Sequence, residues 1–434
     1  MRSKKMRFSN FSQAVEASSE CYRPEQENQL LALFQSMQNK NKTLLARGNG
    51  LSYSDCCLNQ GGIIVDTSRF NHFLAFDEAT GILVCQPAIT FAELLSFHPD
   101  YIPPVIPGTL HATLGGSIAN DVHGKNNIHL GTLGHHIQWL ELQIGTQTIC
   151  CSLKENPLLF QATIGGLGLT GIIKRVAIKM LKANQAIKVE KKKYYQWDNL
   201  LIAMEQEAEQ NNYMVAWLDL LNNNKRALLI LGNHHLEAKT LKKKSINFTI
   251  PSLPLRLITH LGMKVYNQYY FHQAREEITT QSLAQFNNPL DSIKHWNRLY
   301  GKNGLLQFQS VFSSDEAPEL LLKFQEIINA THAVPTLAVL KYFKKPGNGL
   351  LSFAKPGFTI AIDFINSDKA KCAIKKMNQL ITDVEGRVYL AKDLFLTQEQ
   401  FQLQYPNYQS FQAILRQFNP HMSSNLSHRL GLNL

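Results

Sequence analysis

The chain has 434 residues, 44% of them hydrophobic, which excludes predominant disorder and allows two or three globular domains with sizeable cores. Lys and Arg number 44 against 33 Asp and Glu, so the net charge of +11 favours anionic partners. The sequence has no apolar run of membrane-spanning length and no signal-peptide pattern, and it predicts neither a membrane span nor conventional secretion. Its seven cysteines lack the spacing of a zinc site or a disulfide frame, so we expect no metal and a reducing cytoplasm.

Part of the positive charge is concentrated in short runs at the amino terminus, around residues 188–193 and around residues 239–244. Such runs are most often solvated surfaces, and an anionic membrane surface is the alternative. Neither an RNA-recognition pattern nor zinc-finger spacing accompanies them, so no nucleic-acid partner is expected.

The first half of the chain predicts an α+β arrangement of short elements. A helical apolar stripe covers residues 24–40. Strand patterns follow at residues 43–47, 61–66 and 81–86, with a small helix between turn signals at 90–97. A hairpin is expected over residues 139–151, a short helix from Pro157, and a buried strand from Ile172 to Ile178.

Two glycine-containing segments in this half resemble loops built for a phosphorylated ligand. In Leu44 to Asp55, Gly48 and Gly50 bracket Asn49, and positions without a Cβ atom can take positive φ and present consecutive N–H groups to an anion. Pro107 to Asn126 supplies a rigid turn, a Gly-Gly pair and several hydrogen-bonding side chains. Neither segment fits a P-loop or a Rossmann fingerprint. Either alone is explained equally well by ordinary turns, but together they predict one extended ligand.

A third cluster of glycines at residues 165–171 precedes the strand from Ile172, and composition changes near residue 183, where we place a domain boundary. Beyond it, a helix is predicted over residues 199–210 and strands over 214–220, 227–231, 305–311, 337–343 and 358–364. Residues 239–288 have irregular signals, as in a long loop or lid. The tail from Leu394 is predicted to be partly helical.

The three glycine segments, in this order and spacing, resemble the FAD domain of the vanillyl-alcohol oxidase-type flavoproteins. Later motifs are similar to those of the decaprenylphosphoryl-β-D-ribose 2'-oxidase family, and the resemblance runs from about residue 24 to the carboxyl terminus. They are HGKN (123–126), ATIGGLGLTGII (162–173), NPLDSIKHWNRLYG (288–301), LLQFQ (305–309), LKYF (340–343) and VYLAKD (388–393).

The resemblance implies a two-domain FAD-linked oxidase. Residues 1–183, joined by the returning tail 387–434, would form a PCMH-type FAD-binding domain, and residues 184–386 a substrate domain with an antiparallel sheet and helices. The implied reaction is oxidation of the 2'-hydroxyl of a polyprenyl-phosphoryl-β-D-ribose to a 2'-keto sugar. A partner short-chain reductase would complete the epimerisation to the arabinose form used in cell-envelope glycans, and a quinone-like acceptor would reoxidise the flavin.

The family's functional positions carry over onto this chain residue by residue. Lys392 and Tyr53 are the expected catalytic residues, with Lys392 stabilising negative charge that develops on the flavin. The expected substrate contacts are Lys125, Trp217, Gln307, Gln309, Lys341, Thr359 and Ala361. The expected cofactor contacts are Arg47, Gly48, Asn49, Gly50, Leu51, Ser52, Tyr53, Gly108, Thr113, Leu114, Gly115, Gly116, Ser117, His123, Gly124, Lys125, Asn126, Ile173 and Tyr389.

Several of these residues have an ordinary structural interpretation as well. Lys392 and the following Asp393 are also typical of a surface ion pair. His123 is more typical of a hydrogen-bonded structural histidine than of a base. Trp217 would suit a simple core position. Gln307 and Gln309 share one face of a strand, which predicts either a polar cavity or an exposed face.

The chain departs from the family's pattern in three regions. Leu51 stands where many relatives in the wider superfamily carry a histidine bonded covalently to the flavin, so we expect non-covalent FAD. Thr359 and Ala361 replace an asparagine and a cysteine, which changes the wall of the substrate site. The segment FSNFSQ (8–13) lacks the tryptophan-glycine element of that family.

Two further functions stay open at this point. One is a sugar-alcohol or aldonolactone oxidase, which Leu51 disfavours because such enzymes usually bind their flavin covalently. The other is a flavin-binding subunit of a reductase complex without turnover of its own. The aromatic-rich segment from Ile250 to Phe286 is either a packed lid or a peripheral contact with the inner face of the membrane, where a polyprenyl tail would lie.

Overall fold

The protein is described from a computed structural model, which covers residues 3–37, 42–235, 248–251, 258–418 and 421–433. The amino-terminal part contains small sheets flanked by short helices. Its strands are β1 (Lys4–Ser9), β2 (Glu16–Tyr22), β3 (Leu44–Arg47), β4 (Ile63–Asp66), β5 (Phe73–Asp77), β6 (Ile82–Cys85), β7 (Tyr101–Ile102), β8 (Ile137–Ile144), β9 (Gln147–Ser152), β10 (Ile172–Lys179) and β11 (Leu181–Lys182). Its helices are α1 (Glu27–Met37), α2 (Phe91–Ser96), α3 (Leu114–Ala119), α4 (Asn127–Leu130) and α5 (Pro157–Thr163).

Two sheets organise this part of the chain. One has the order β1-β2-β4-β3, and the other has the order β5-β6-β10-β8-β9. The β-branched strand β10 lies at the centre of the second sheet and is almost wholly buried, as its composition predicts. Helix α1 buries Leu30, Leu33 and Phe34 against the first sheet. The sheets therefore hold the turns that follow β3 and precede α3 on rigid elements.

The middle of the chain contains most of the strands of one large sheet. The strands from this region are β12 (Ala186–Tyr194), β13 (Tyr213–Leu218), β14 (Ala227–His234), β15 (Phe248–Thr249), β16 (Thr279–Ser282), β17 (Ile293–Lys294), β18 (Leu305–Phe312), β19 (Pro335–Phe343) and β20 (Gly357–Ile365). With β21 (Arg387–Val388) of the tail, the large sheet has eight strands in the order β16-β12-β14-β13-β19-β20-β18-β21. The helices are α6 (Trp197–Glu207), α7 (His260–Gln273), α8 (Leu283–Asn287), α9 (Ala317–Thr331) and α10 (Asp368–Asp383). All the pairings in the large sheet are antiparallel, so the predicted fold class, α+β with an antiparallel sheet, is confirmed.

The tail starts on the large sheet and then returns to the amino-terminal part. Its elements are β21 (Arg387–Val388), α11 (Gln398–Gln404), α12 (Tyr408–Phe418) and α13 (Asn425–Arg429). Strand β21 pairs with β18, whereas Met422 bridges to Leu44 of β3 in parallel. The exact domain boundaries at residues 183 and 387 stay a prediction.

The prediction of an irregular segment over residues 239–288 is wrong for much of its described part. Residues 260–273 form helix α7, and β16 and α8 follow it. The helix was missed because its apolar residues do not gather on one buried face: Asn267 and Phe271 are buried, whereas Leu261, Val265 and Tyr269 are exposed. Residues 252–257 of the segment from Ile250 to Phe286 lie outside the described residues.

Within the described residues, no helix combines the length and the apolar character that crossing a membrane requires.

Candidate functional site

The two glycine-containing loops lie against each other. Asn49 of the first loop donates its side-chain amide to the backbone carbonyl of His111 in the second, at 2.8 Å. A Cβ atom at Gly48 would overlap the hydroxyl of Thr113, so glycine is required for this approach. The structure therefore brings together the loops that the sequence analysis assigned to one ligand.

Gly50 has the left-handed backbone conformation expected of a nest, with φ of 63°. Below it lies the guanidinium of Arg47, which donates to the carbonyls of Ser9 at 3.0 Å and Cys57 at 3.3 Å. The Arg47 side chain is thus engaged by the chain's own carbonyls and supports the loop from beneath.

The second loop turns into the short helix α3. Thr113 caps that helix through its hydroxyl, which accepts from the N–H of Gly116 at 3.3 Å. Gly115 allows the backbone to lie on Pro87, where a Cβ atom would come within 2.7 Å. Gly108 faces open space. Leu114 is fully buried, so this predicted cofactor residue anchors the loop.

Four buried polar atoms at the predicted site have no hydrogen-bond partner within the described part of the chain. They are Ser117 Oγ, His123 Nδ1, Asn126 Oδ1 and Gln307 Oε1. Buried polar groups in native proteins are normally paired, so these atoms indicate a polar ligand between the loops and the large sheet. The glycine-lined backbone and the unpaired donors and acceptors both fit a dinucleotide.

Lys392 and Tyr53, the expected catalytic pair, are in contact. The Lys392 ammonium lies 3.6 Å from the centroid of the Tyr53 ring. The backbone around them is joined as well, because the carbonyl of Ala391 accepts from the N–H groups of Tyr53 and Ser54 and from the hydroxyl of Ser52. The alternative of a surface ion pair with Asp393 is wrong, since Asp393 pairs with Arg429 and is buried.

Three half-buried lysines lie near this position, and the charge of Lys341 acts on both Lys125 and Lys392. Burial lowers the pKa of Lys125 to about 7, with a further contribution from the positive charge of Lys341. Burial alone lowers the pKa of Lys341 to about 8. The pKa of Lys392 is lowered mainly by burial and further by the positive charge of Lys341. Lys125 is held by the carbonyl of Phe286 at 2.6 Å and by the Phe286 ring.

Asp363 is a site residue that the sequence analysis missed. It lies on β20 opposite Gln307 of β18, and the Gln307 side-chain amide donates to its carboxylate. Burial raises the pKa of Asp363, and the nearby Lys392 partly offsets that effect. An acidic residue within the otherwise apolar strand GFTIAIDFI was the available signal, because such residues are rarely buried without a partner.

His123 is a buried, neutral histidine held between aromatic rings. Burial lowers its pKa well below the ordinary value, and the charge of Lys341 adds to this. Its Nε2 atom lies 3.0 Å from the side-chain amide nitrogen of Gln309, which donates to it. The ring packs edge-on against Phe343, with centroids 4.7 Å apart. Gln307 and Gln309 thus face a polar interior, in agreement with the cavity interpretation rather than the exposed one.

The remaining predicted residues occupy different surroundings. Tyr389 donates its hydroxyl to the carbonyl of Asn120 at 3.0 Å and stacks on Phe353. Thr359 and Ala361 lie on β20 in register with Lys341 and Gln309, respectively. Ile173 and Gly124 are buried, Leu51 is half-buried and Gly116 is exposed.

Trp217 lies in a separate apolar cluster formed with Leu228 and Phe271. Its ring packs at 5.1 Å from that of Tyr270, on helix α7. This surrounding agrees with the core interpretation of Trp217, and its role as a substrate contact stays a prediction.

Comparisons with known proteins agree with this geometry. Residues 20–150, which include both loops, match the family described as the FAD binding domain. The protein is an FAD-dependent oxidoreductase. It is 29% identical to the decaprenylphosphoryl-beta-D-ribose oxidase of Mycolicibacterium smegmatis over 425 aligned residues, 92% of each chain. The resemblance to the decaprenylphosphoryl-β-D-ribose 2'-oxidase family is therefore confirmed.

Two other relatives are similar to only part of the chain. A putative D-arabinono-1,4-lactone oxidase of Neurospora crassa is 27% identical over 184 residues, 40% of this chain and 33% of that protein. Cytokinin dehydrogenase 2 of Arabidopsis thaliana is 29% identical over 135 residues, 31% of this chain and 27% of that protein. The expected FAD cofactor and the class of enzyme are confirmed, whereas the individual site residues stay predictions.

Proposed function

We propose that the protein oxidises the 2'-hydroxyl of a polyprenyl-phosphoryl-β-D-ribose to the 2'-keto sugar. The observation that carries the proposal is the group of three half-buried lysines, Lys125, Lys341 and Lys392, whose ammonium groups are partly removed from water. Among the described residues, Asp363 is the carboxylate that acts on this group, through Lys392. Excess positive charge in a partly desolvated site is costly unless a bound anion offsets it. A sugar phosphate supplies that charge, and a free polyol does not.

Bound FAD would supply the hydride acceptor for the carbinol carbon, and the hydroxyl proton would pass to a base or to solvent. The chain's own residues bind and orient the sugar. Lys125 and Lys341 would hold the phosphate, and Gln309, fixed by His123, would accept or donate hydrogen bonds to the sugar hydroxyls. Lys392, fixed over Tyr53, would stabilise negative charge where it develops on the ring system.

Stopped-flow measurement of flavin bleaching tests this assignment. Rapid bleaching on addition of a short-chain polyprenyl-phosphoryl-ribose, with none on addition of free ribitol or an aldonolactone, is the expected result. Bleaching by the free polyol or lactone alone would instead support the sugar-alcohol or aldonolactone oxidase. No bleaching by either class of compound would leave the flavin-binding subunit as the remaining interpretation.

We also propose that the FAD is non-covalent, because Leu51 replaces the histidine of relatives with a covalent link and has no nucleophilic atom. Acid precipitation of the purified protein then leaves the yellow colour in the supernatant. A partner short-chain reductase and a quinone-like acceptor belong to the same proposal, since a keto sugar must be reduced and the flavin reoxidised.

The proposed location is the cytoplasm, with peripheral contact at the inner face of the membrane. Leu261, Val265 and Tyr269 support the contact: they are four residues apart on α7, and between 62% and 72% of each residue's surface is exposed. These residues form one apolar stripe on a basic protein, a combination suited to an anionic bilayer.

Flotation with anionic liposomes tests the membrane contact. Replacing Leu261, Val265 and Tyr269 together by serine should reduce co-flotation at least fivefold. Serine at Leu153, Ile202 and Leu403 is the matched control, because these residues are also exposed and apolar but lie elsewhere. Equal flotation of both triple variants would exclude α7 as the contact.

A further inference from the structure

Arg429, near the end of the chain, contacts the residues that follow both members of the expected catalytic pair. It lies on α13 and forms an ion pair with Asp55, two residues after Tyr53, at 3.0 Å. It forms a second ion pair with Asp393, which directly follows Lys392, at 2.8 Å. One guanidinium thus links two segments that are more than 330 residues apart in the sequence.

All five N–H donors of this guanidinium are used. Two of them hold the Asp55 carboxylate in a bidentate arrangement, from Nε at 3.2 Å and from Nη2 at 3.0 Å. The others go to the Asp393 carboxylate at 2.8 Å, the Asp393 carbonyl at 3.2 Å and the Leu396 carbonyl at 2.8 Å. A lysine in this position would have one nitrogen and could not reproduce the fork.

The arginine is presented from a fixed platform. Ser424 caps α13, and the N–H of Asn425 donates to the carbonyl of Leu58 at 2.8 Å. Leu426 of the same helix and Leu430, which directly follows it, are fully buried. The ends of the two catalytic segments are therefore held by a rigid element that contains neither of them.

We propose that Arg429 is a positioning residue that sets the Lys392 ammonium against the Tyr53 ring, so that the last helix of the chain completes the active site. The proposal rests on the role given above to Lys392. The carboxylate of Asp393 also accepts from the N–H groups of Phe395 and Leu396, so loss of its arginine partner would release the turn that carries Lys392.

The test compares Arg429→Gln, Arg429→Lys and Asp55→Asn with a matched control, Glu27→Gln. Glu27 belongs to another ion cluster, with Lys174 at 2.9 Å and Arg175 at 3.0 Å, which also includes Glu141 and joins α1 to β10. Asp55→Asn and Glu27→Gln both change one clustered carboxylate to an amide. Only the former touches the catalytic segments.

Hydrogen exchange of the purified holoenzyme is the first measurement. Arg429→Gln and Asp55→Asn should each increase the rate of hydrogen exchange at least tenfold in residues 49–55 and 389–396. Arg429→Lys should give an intermediate increase, and Glu27→Gln should leave the rate unchanged in both segments. The second measurement is the affinity of the flavin for sulfite, whose addition places negative charge on the ring and so reports the nearby ammonium. We expect the affinity to fall at least fivefold in Arg429→Gln and to stay unchanged in Glu27→Gln.

Neither measurement requires the sugar substrate, so the positioning role is tested even if the proposed reaction is wrong. Where the substrate does reduce the flavin, kcat should fall at least tenfold in Arg429→Gln with KM changed less than threefold. If Arg429→Gln only lowers Tm as Glu27→Gln does, with exchange in 389–396 and sulfite affinity unchanged, the proposal is overturned. Should Arg429→Gln fail to fold, Asp55→Asn, which retains the Asp393 pair, gives the same decision.

Discussion

The pKa of Lys125 makes a quantitative prediction about how substrate affinity depends on pH. In the free site, burial and Lys341 lower this pKa to about 7. A phosphate bound to Lys125 favours the charged ammonium and raises the pKa again, so the ligand binds the protonated form. The affinity for the phosphate-bearing substrate is therefore highest below pH 7 and falls as the pH rises above 7.

The size of the effect follows from the protonated fraction of Lys125. This fraction falls from about one half at pH 7 to about one hundredth at pH 9, which predicts a loss of affinity of about fiftyfold from this lysine alone. That corresponds to about 2.3 kcal/mol of binding free energy. Lys341, whose pKa is about 8, steepens the loss towards pH 9.

Titration of the flavin fluorescence with a short-chain polyprenyl-phosphoryl-ribose between pH 7 and pH 9 measures this dependence. Lys125→Met should bind more weakly at pH 7 and lose most of the pH dependence. Lys188→Met, at an exposed position on β12, is the control and should behave like the wild type. A wild-type affinity that is constant across this range, or a Lys125→Met variant as pH-dependent as the wild type, would refute the reasoning.

Two substitutions test other parts of the site. Asp363→Asn removes the carboxylate that raises the pKa of Lys392, so the alkaline limb of the pH profile for flavin reduction should move about one pH unit lower. An unmoved limb would show that Asp363 does not act on Lys392. Gly50→Ala places a methyl group on a residue with left-handed backbone and against the Arg47 side chain, which should cost about 1–2 kcal/mol of conformational free energy. FAD binding should weaken about tenfold in a fluorescence titration, and unchanged affinity would argue against this loop as part of the cofactor site.

The sequence identified the parts of the fold and the site that depend on local chemistry. Glycine at residues 48, 50 and 115 is needed where backbone approaches other atoms, and such positions are recognisable from residue type alone. The strands of the large sheet from Leu305 to Phe364 were also predicted from residue type, because β-branched and aromatic runs bounded by turns favour strands.

What the sequence did not reveal depends on contacts between distant residues. Nothing near Asp55 indicates that its partner is Arg429, which is 374 residues away. Asp363 became recognisable only when the register of β18 and β20 placed Gln307 opposite it. Helix α7 was missed because several of its apolar residues are exposed instead of forming one buried stripe. Without such a stripe, the apolar residues do not show the helical period in the sequence.

Reduction of the purified flavoprotein in the absence of oxygen tests whether the enzyme recognises the phosphate of its substrate. A polyprenyl-phosphoryl-ribose should bleach the bound flavin within one turnover and yield the 2'-keto sugar, and the same ribose without its phosphate should not. Bleaching by unphosphorylated ribose at an equal rate would contradict the role given to Lys125, Lys341 and Lys392.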